Sequence, residues 1–248
     1  MKDPKITVVM ATYRQTQYLP QAILSIIGQS EPCKLIVVHV KVEKETDELL
    51  TELYVKWNLK DKYQGTTVDI ADMWVQRQVG LDLVDTPYVC FFDSDDFMMP
   101  GWLKNVWRAE ETVERFGRVP IIGPSYQMTD ENLVPMQEVI LPDFTMDKMM
   151  QGCIIPDFSI TTAEALRGVG GFFDQDYPIK KTYNFYATWL RMLKQYGDKL
   201  EVKLLPDIGF LYRQHKKNLH HKVQSKRNSR RNVEMQRMIA RHYFPEGE

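Results

Sequence analysis

The sequence is poor in cysteine and has no long apolar run. Its cysteines, Cys33, Cys90 and Cys153, are odd in number and widely spaced, which excludes a disulfide framework and a cysteine metal site and favours a reduced, cytoplasmic setting. No apolar stretch approaches the roughly 20 residues that a membrane span requires. Residues 1–5 lead into a strand-like run without a signal-peptide core. Internal repeats and low-complexity linkers are also missing, so two independent domains are not expected.

The composition is that of a globular protein with an uneven charge distribution. The 248 residues are 44% apolar and 26% charged, which is enough for one sizeable core. The formal net charge is −1, but residues 213–231 contain eight Lys or Arg and no acid, which leaves 24 basic against 33 acidic residues elsewhere. We therefore expect an acidic body over residues 1–212 and a basic C-terminal arm over 213–248, with an anionic partner near the arm.

Strand-like and helical patterns alternate along the first half of the chain. The alternating segments are 6–10, 19–27, 35–42, 49–57, 70–84 and 88–92. Pro100 is expected in the first turn of a further helix, a helical stripe covers 183–193, and a strand is expected at 202–205. The alternation predicts an α/β fold with a mostly parallel sheet. Periodicity weakens over residues 124–159, which are predicted to form a long irregular insertion.

The apolar run at 88–92 ends directly in Asp93-Ser94-Asp95-Asp96. In open α/β sheets, ligands bind beyond the carboxyl ends of the strands, where these acids fall. Neighbouring carboxylates raise one another's pKa unless a cation neutralises them. Mn²⁺ or Mg²⁺, held by one or two carboxylates together with substrate phosphates, suits such a cluster. The pattern predicts a divalent-metal site, and a strand that ends in an ordinary polar turn is the alternative.

Five other segments accompany the acidic cluster in a fixed order. They are Ala11-Thr12-Tyr13-Arg14, Arg77-Gln78-Val79-Gly80-Leu81, Gly170-Gly171-Phe172-Phe173-Asp174, Trp189-Leu190-Arg191-Met192 and Tyr212-Arg213-Gln214-His215. With Asp93-Ser94-Asp95 as the DxD motif, this order resembles the GT-A fold of nucleotide-sugar glycosyltransferases, in particular family 2, over roughly residues 6–221. The resemblance implies a Rossmann-like, mostly parallel sheet flanked by helices. It also implies a catalytic domain over 1–212, with the basic arm and helix of 213–248 packed on it.

The resemblance implies a role for each matching residue. Asp93 would approach the ribose of the donor, and Asp95 would coordinate a Mn²⁺ or Mg²⁺ ion on the diphosphate, with His215 as a further metal ligand. The implied donor-binding residues are Thr12, Tyr13, Arg14, Arg77, Asp93, Ser94, Arg213 and Lys217. On the residues alone, other interpretations stay open: His215 as a solvated loop histidine, Arg77 as a helix-face charge and Tyr13 as a core-packed ring.

Two segments depart from the family pattern. His39-Val40-Lys41 stands where the family shows an Asp pair that reads the base, and Asn184-Phe185 stands where it shows a Glu-Asp pair whose Asp is the general base. An inverting transfer needs a carboxylate within hydrogen-bond reach of the acceptor hydroxyl. The candidates are Asp157, Asp174 and Asp176, with Asp157 ranked first because its apolar neighbours would raise its pKa, although an exposed loop acid is the simpler interpretation. A retaining mechanism, or a relative that binds the donor without turnover, would also explain the missing base.

The predicted function is that of a metal-dependent glycosyltransferase that moves a sugar from a nucleoside-diphosphate donor to an acceptor hydroxyl, with inversion. The basic arm could close over the donor diphosphate, track the phosphates of a nucleic acid or lie on an anionic bilayer. A modified nucleic-acid base or a lipid-phosphate therefore joins glycans among the candidate acceptors, while a solvated helix face is the simpler interpretation of the arm. The rival functions are a DxD phosphohydrolase and a nucleic-acid-binding protein with a vestigial sugar-nucleotide site.

Overall fold

A computed structural model describes residues 3–60, 62–113, 118–173, 184–216 and 226–245, with side chains in the last range from residue 232 onward. The strands in these ranges are β1 (Ile6–Ala11), β2 (Cys33–Val40), β3 (Tyr63–Val68), β4 (Tyr88–Asp93), β5 (Phe97–Met98), β6 (Val119–Thr129), β7 (Pro135–Val139), β8 (Ile160–Thr162) and β9 (Leu200–Arg213). The helices are α1 (Leu19–Ile27), α2 (Lys44–Lys56), α3 (Met73–Leu83), α4 (Trp102–Glu110), α5 (Met146–Gln151), α6 (Ala163–Gly168), α7 (Asn184–Tyr196) and α8 (Lys226–Tyr243).

One sheet joins these strands in the order β3-β2-β1-β4-β8-β6-β9-β5, with β7 paired to β6. Strands β3, β2, β1 and β4 are mutually parallel, whereas β8 runs antiparallel to both β4 and β6. Strand β9 is parallel to β6, and β5 and β7 add short antiparallel edges. The predicted α/β fold class is confirmed, with four adjacent parallel strands in the first half of the chain and mixed pairing beyond them.

The sheet is buried on both faces because helices cover each side. On one face, Val8 and Met10 of β1 pack into a core with α1, α2 and α4, while Val9 points to the opposite face. That second face is covered by α3, α6, α7 and α8. Burial on both faces explains why the parallel strands read as continuous apolar runs rather than as alternating ones.

Helix α3 lies unusually close to β1 because it carries Gly80. A Cβ atom at this position would stand 2.2 Å from the Val9 Cγ1 atom, so no larger residue fits without displacing the helix. The helix begins at a capped end, where the Asp72 carboxylate accepts a hydrogen bond from the Trp74 amide at 2.9 Å. The close approach holds Gln76 and Arg77 against the carboxyl ends of the neighbouring strands.

Three expectations from the sequence need correction. Strand β3 was not predicted, since its largely polar sequence at the sheet edge gives no apolar signal. Pro100 precedes α4 rather than opening it, because Gly101 with φ of 78° forms the N-cap. The prediction of an irregular insertion over 124–159 was wrong: β6 continues to Thr129, with Pro124 at a register shift where a missing amide donor is tolerated, and β7 and α5 follow.

The last described strand and helix, β9 and α8, pack against the rest of the fold. Strand β9 extends to Arg213, and α8 packs against α5 and α7 through Ile239, Ala240 and Tyr243. Residues 217–225 of the basic arm, including Lys217, lie outside the described residues. Among the helices that are described, none has both the length and the apolar character needed to cross a bilayer.

Candidate active site

The carboxyl ends of three parallel strands meet at one point of the sheet edge. Ala11 at the end of β1 pairs with Val38 of β2 on one side and with Asp93 of β4 on the other. The Thr12 amide then donates to the Val38 carbonyl at 3.0 Å, so the chain leaves β1 beside β2. This arrangement places the segment that starts at Thr12 next to the acidic segment that starts at Asp93.

Asp93, Asp95 and Asp96 form a compact acidic triad at the end of β4. One oxygen from each carboxylate can be chosen so that all lie within 4.8 Å of one another. Asp96 is 1% exposed, and its Oδ2 atom is buried without a hydrogen-bond partner. Burial, and then the charges of Asp95 and Asp93, raise the pKa of Asp96 well above its ordinary value, against a smaller opposing effect of Arg213. The positive charge near the triad is therefore too small to offset the effect of burial and of the neighbouring carboxylates on Asp96.

Each carboxylate of the acidic triad has one nitrogen partner. The Arg77 guanidinium pairs with Asp93 at 2.5 Å, and the His215 Nε2 atom lies 2.8 Å from the Asp95 Oδ2 atom. The Arg213 amide donates to the Asp96 Oδ1 atom at 2.9 Å. Helix α3 and the end of β9 thus reach the triad from opposite sides.

Arg213 supports the acidic segment through hydrogen bonds and a ring contact. Its guanidinium donates to the Asp95 carbonyl at 2.6 Å and to the Gln21 Oε1 atom at 2.9 Å, and it also donates to the Glu131 carbonyl. The guanidinium carbon stands 4.5 Å from the centre of the Tyr18 ring. Each of the three guanidinium nitrogens thus has a partner within the protein. The predicted contact of Arg213 with the donor stays a prediction, while its support of the acidic turn is observed.

Arg77 is buried, and part of its guanidinium group has no hydrogen-bond partner among the described residues. It is 1% exposed, and its guanidinium carbon lies 5.0 Å from the Trp74 ring centre and 4.7 Å from that of Phe185. One amino group pairs with Asp93, but the Nε and Nη1 atoms have no hydrogen-bond partner in the described part of the chain. Unsatisfied charged donors of this kind cost roughly 1–3 kcal/mol or more when buried. Two guanidinium nitrogens are therefore left to donate to an incoming acceptor of hydrogen bonds.

The turn after β1 presents an aromatic ring and is fixed by the loop after β2. Tyr13 is 38% exposed, and the Arg14 guanidinium carbon lies 4.9 Å from the centre of its ring. Arg14 has φ of 56°, and its amide donates to the Glu43 Oε1 atom at 2.7 Å. The second oxygen of Glu43, Oε2, is buried and has no hydrogen-bond partner among the described residues. The carboxylate that holds the Arg14 amide, next to Tyr13 in the chain, thus has one oxygen left to accept a hydrogen bond.

Gln76 ties these two strand ends together. Its side-chain amide nitrogen donates to the carbonyls of Thr12 and Val38, each at 2.8 Å. The residue is 2% exposed. This role could not be predicted from the sequence, because a glutamine beside Arg77 on a helix looks like an ordinary solvated side chain. Glu43 was missed for a similar reason, since it is one of several acids near the start of α2.

Asp157 lies on the segment between α5 and β8. It is half-buried as a residue, but its carboxyl group is surrounded by protein, and this desolvation raises its pKa to about 7. The charge of Arg77 opposes the shift, and that of Asp93 adds to it. Both charges act on Asp157, so its carboxyl group lies in the field of the acidic site. A carboxylate that titrates near neutral pH can accept a proton from a hydroxyl group.

The first half of the chain matches a known family. Residues 7–115 match the model described as glycosyl transferase family 2. The structure of S. aureus TarS 1-349 in complex with UDP is similar in fold, with a TM-score of 0.59 and 18% identity over 85% of this chain and 60% of that one. The fold of this chain is like that of the family 2 glycosyltransferases. TarS 1-349 in complex with UDP-GlcNAc gives a TM-score of 0.65 at 16% identity, over 95% of this chain and 65% of the other.

The family match over residues 7–115 and the similar structures confirm the predicted resemblance at the level of the fold. The longer structure of S. aureus TarS has a TM-score of 0.64 at 14% identity and covers 98% of this chain. Only 44% of that protein is matched, and 60% of the UDP complex, so this chain spans less than two thirds of either. By sequence, no curated protein matches it.

The predicted site residues of the family 2 fold are distributed unevenly in the structure. Thr12, Arg77, Asp93, Asp95 and His215 come together at the carboxyl ends of the strands, with Tyr13 and Arg14 at their rim. Ser94 is 4% exposed within the acidic turn. Asp174, Asp176 and Lys217 lie outside the described residues.

The residues of the acidic triad fit a divalent ion. Their carboxylate oxygens are close enough to share one cation, and hard oxygen donors are what Mg²⁺ and Mn²⁺ prefer. The buried Oδ2 atom of Asp96, which has no hydrogen-bond partner among the described residues, leaves one carboxyl oxygen of the site available to an ion. His215 is placed beside Asp95, where an imidazole nitrogen could serve as a further ligand.

Proposed function

We propose that this chain transfers a sugar from a UDP-sugar to an acceptor hydroxyl with inversion at the sugar carbon. The observation that carries the proposal is the acidic triad at the end of β4, with oxygens within 4.8 Å, in a fold of family 2. Complexes of the structurally similar TarS with UDP and UDP-GlcNAc support a uridine nucleotide as the donor. The unpartnered oxygen of the triad is suited to a metal ion that binds a diphosphate. A purely structural or apolar site would have no need of such an unpartnered oxygen.

The donor would contact two parts of the site, one that binds its base and one that binds its diphosphate. The uracil ring would stack on the exposed face of Tyr13, and its imide N–H would donate to the free Oε2 atom of Glu43. Glu43 takes the place of the Asp pair that this chain lacks after β2. The diphosphate would lie towards Asp95 and His215, where Mn²⁺ or Mg²⁺ would be held by Asp95 with Asp93, Asp96 or His215. A bound ion there supplies electrostatic stabilisation of the negative charge that develops on the leaving diphosphate.

The chemical step requires one proton acceptor. Asp157 removes the proton from the acceptor hydroxyl, and the resulting oxygen nucleophile forms a bond to the anomeric carbon while the bond from that carbon to the diphosphate oxygen breaks. The departing diphosphate takes the electron pair of the broken bond. Arg77 remains paired with Asp93, and its two unpartnered guanidinium nitrogens donate hydrogen bonds to oxygens of the donor. The raised pKa of Asp157 makes it a stronger base than an ordinary aspartate.

The test measures whether donor binding depends on Asp95. Calorimetric titration of UDP with and without Mn²⁺ should show binding that needs the ion, and Asp95→Asn should weaken that binding at least a hundredfold. The matched control is Asp198→Asn, an exposed acid in the turn before β9, which should bind UDP as the unmodified chain does. Undiminished Mn²⁺-dependent binding in Asp95→Asn would remove the acidic triad from the donor site.

A further inference from the structure

Tyr18 is a buried aromatic residue that lies outside both apolar cores formed by the described residues. It directly precedes α1 and is 8% exposed. Its neighbour Leu19 packs into the core on the α1 side of the sheet, whereas Tyr18 belongs neither to that core nor to the one on the α7 side. A large ring that is buried away from the apolar cores is expected to contact polar groups.

Tyr18 contacts two side chains at the carboxyl end of β9. The Arg213 guanidinium carbon lies 4.5 Å from the centre of the Tyr18 ring. The centre of the His215 ring lies 4.9 Å from the same point, with an angle of 41° between the two ring planes. These separations are those of a cation–π contact and of a tilted aromatic pair. One ring thus packs against both residues.

Arg213 and His215 are also the residues that reach the acidic triad from β9. The Arg213 amide donates to the Asp96 Oδ1 atom at 2.9 Å, and the His215 Nε2 atom lies 2.8 Å from the Asp95 Oδ2 atom. The side chain of His215 is 2% exposed, so its imidazole is enclosed by protein where it meets the carboxylate. Tyr18 is therefore linked to the triad through one imidazole and one guanidinium group.

The position of Tyr18 at the start of α1 is unusual for a tyrosine. It is the N-cap residue, and its side chain makes no capping hydrogen bond. Ser, Thr, Asp and Asn are favoured at this position because their side chains accept hydrogen bonds from the first helical amides. Gln21, in the first turn of the same helix, accepts a hydrogen bond from Arg213 at 2.9 Å. The start of α1 is thus suited to holding the end of β9 rather than to capping its own amides.

Asp95 and His215 are spaced as two ligands of one ion would be. Neighbouring ligand atoms of an octahedral ion, each about 2.1 Å from the metal, lie about 3 Å apart. The distance between the His215 Nε2 and Asp95 Oδ2 atoms is 2.8 Å. A histidine that binds a metal needs neighbouring groups that fix the orientation of its ring. The packed face of Tyr18 provides such a restraint.

We propose that Tyr18 is a positioning residue that holds the His215 imidazole in the orientation in which it binds the ion at the acidic triad. Tyr18 acts through His215 and does not itself contact the ion or the donor. The proposal rests on the metal site of the proposed function and adds the residue that orients its nitrogen ligand. Residues 12–18 then serve both parts of the donor site, with Tyr13 at the base and Tyr18 behind the metal ligand.

The test measures Mn²⁺ binding without donor or turnover. Electron paramagnetic resonance gives the Kd for Mn²⁺, and the nitrogen modulation of the electron spin echo reports whether an imidazole is bound to the ion. The nitrogen signal should be lost in His215→Gln. Tyr18→Leu should weaken it and raise the Kd about tenfold, or about 1.4 kcal/mol, the upper end of what one ring pair contributes. Tyr18→Phe keeps the ring and should retain both the signal and the Kd.

The matched control is Tyr54→Leu. Tyr54 is a partly buried tyrosine on α2 whose ring centre lies 5.9 Å from that of Tyr63, so the change removes a ring pair that does not involve the acidic triad. It should bind Mn²⁺ as the unmodified chain does. Circular dichroism and thermal unfolding are measured on every variant, and Tyr18→Met serves as a second variant without a ring.

The outcomes separate this role from the proposed function. If Tyr18→Leu and Tyr18→Met bind Mn²⁺ with the Kd and nitrogen signal of Tyr54→Leu, the role of Tyr18 is overturned and the metal site stands. An equal loss in Tyr18→Phe also overturns it, because the ring would then not be the part that matters. Unfolding of both ringless variants, with Tyr54→Leu folded, overturns it in favour of a structural role. Absence of bound Mn²⁺ in the unmodified protein overturns the metal site of the proposed function together with this role.

Discussion

The two halves of the sheet build the site in different ways. In the donor half, β1, β2 and β4 are parallel and end at the same level, so that Thr12, Glu43 and Asp93 follow strand ends at one edge of the sheet. In the acceptor half, β6, β8 and β9 run in mixed directions, and Asp157 is supplied by the segment between α5 and β8. The family match ends at residue 115, close to the division between the halves. In the proposed function, donor recognition thus belongs to the regular part of the fold, and the acceptor side to the part beyond the family match.

The sharpest test of this division is Asp157→Asn. The variant should lower kcat by about a thousandfold, within the 10²–10⁴-fold range of a lost general base, and should leave the Kd for UDP unchanged. In the unmodified enzyme, kcat/KM should rise as the pH increases through about 7, because only the deprotonated carboxylate accepts a proton. The variant should lose this rise. A pH profile that is the same in both proteins would show that another group is the base.

Gln76→Ala tests whether the donor half depends on the bridge between β1 and β2. The substitution leaves the carbonyls of Thr12 and Val38 without the buried side-chain donor. We expect the free energy of unfolding to fall by about 2 kcal/mol, as measured by urea denaturation. Gln195→Ala, which removes an exposed hydrogen bond to the Gly168 carbonyl, should change it by less than about 0.5 kcal/mol. Equal effects of the two changes would show that the bridge is not important for stability.

Glu43→Gln should alter nucleotide preference by a smaller amount. The Arg14 amide needs an oxygen acceptor, so the new side chain must place its NH₂ group where Oε2 now lies. That group repels the imide N–H of uracil but can donate to the ring nitrogen of cytosine. We expect the Kd for UDP to rise about tenfold, which corresponds to about 1.4 kcal/mol, and CDP to gain relative to UDP.

The control for this change is Glu45→Gln, since the Glu45 carboxylate is exposed and accepts only a 3.3 Å hydrogen bond from Thr16. Its Kd values for both nucleotides should match those of the unmodified chain. An unchanged ratio of UDP to CDP affinity in Glu43→Gln would mean that this loop does not read the base.

In the donor half, the site could be predicted from the sequence where apolar strands end directly in polar residues. The run into Asp93 and Asp95 and the turn at Thr12 could both be recognised from local pattern. Gln76 and Glu43 could not, because their roles come from contacts with distant strands rather than from their neighbours. The acceptor half was harder still. Strand β6 carries a proline at a register shift, and its edge partner β7 is almost wholly exposed, so neither gave a strand pattern.

The partners of the acidic turn are far away along the chain. Arg213 and His215 contact Asp95 across 118 and 120 positions, respectively. During synthesis on a ribosome, the carboxylates therefore emerge long before these cationic side chains exist. Until β9 docks, only Arg77 of the observed partners is available to offset three negative charges at the sheet edge. A nascent chain should thus complete its donor site late, when its last strand joins the sheet, and a divalent ion in the surrounding solution would favour that step.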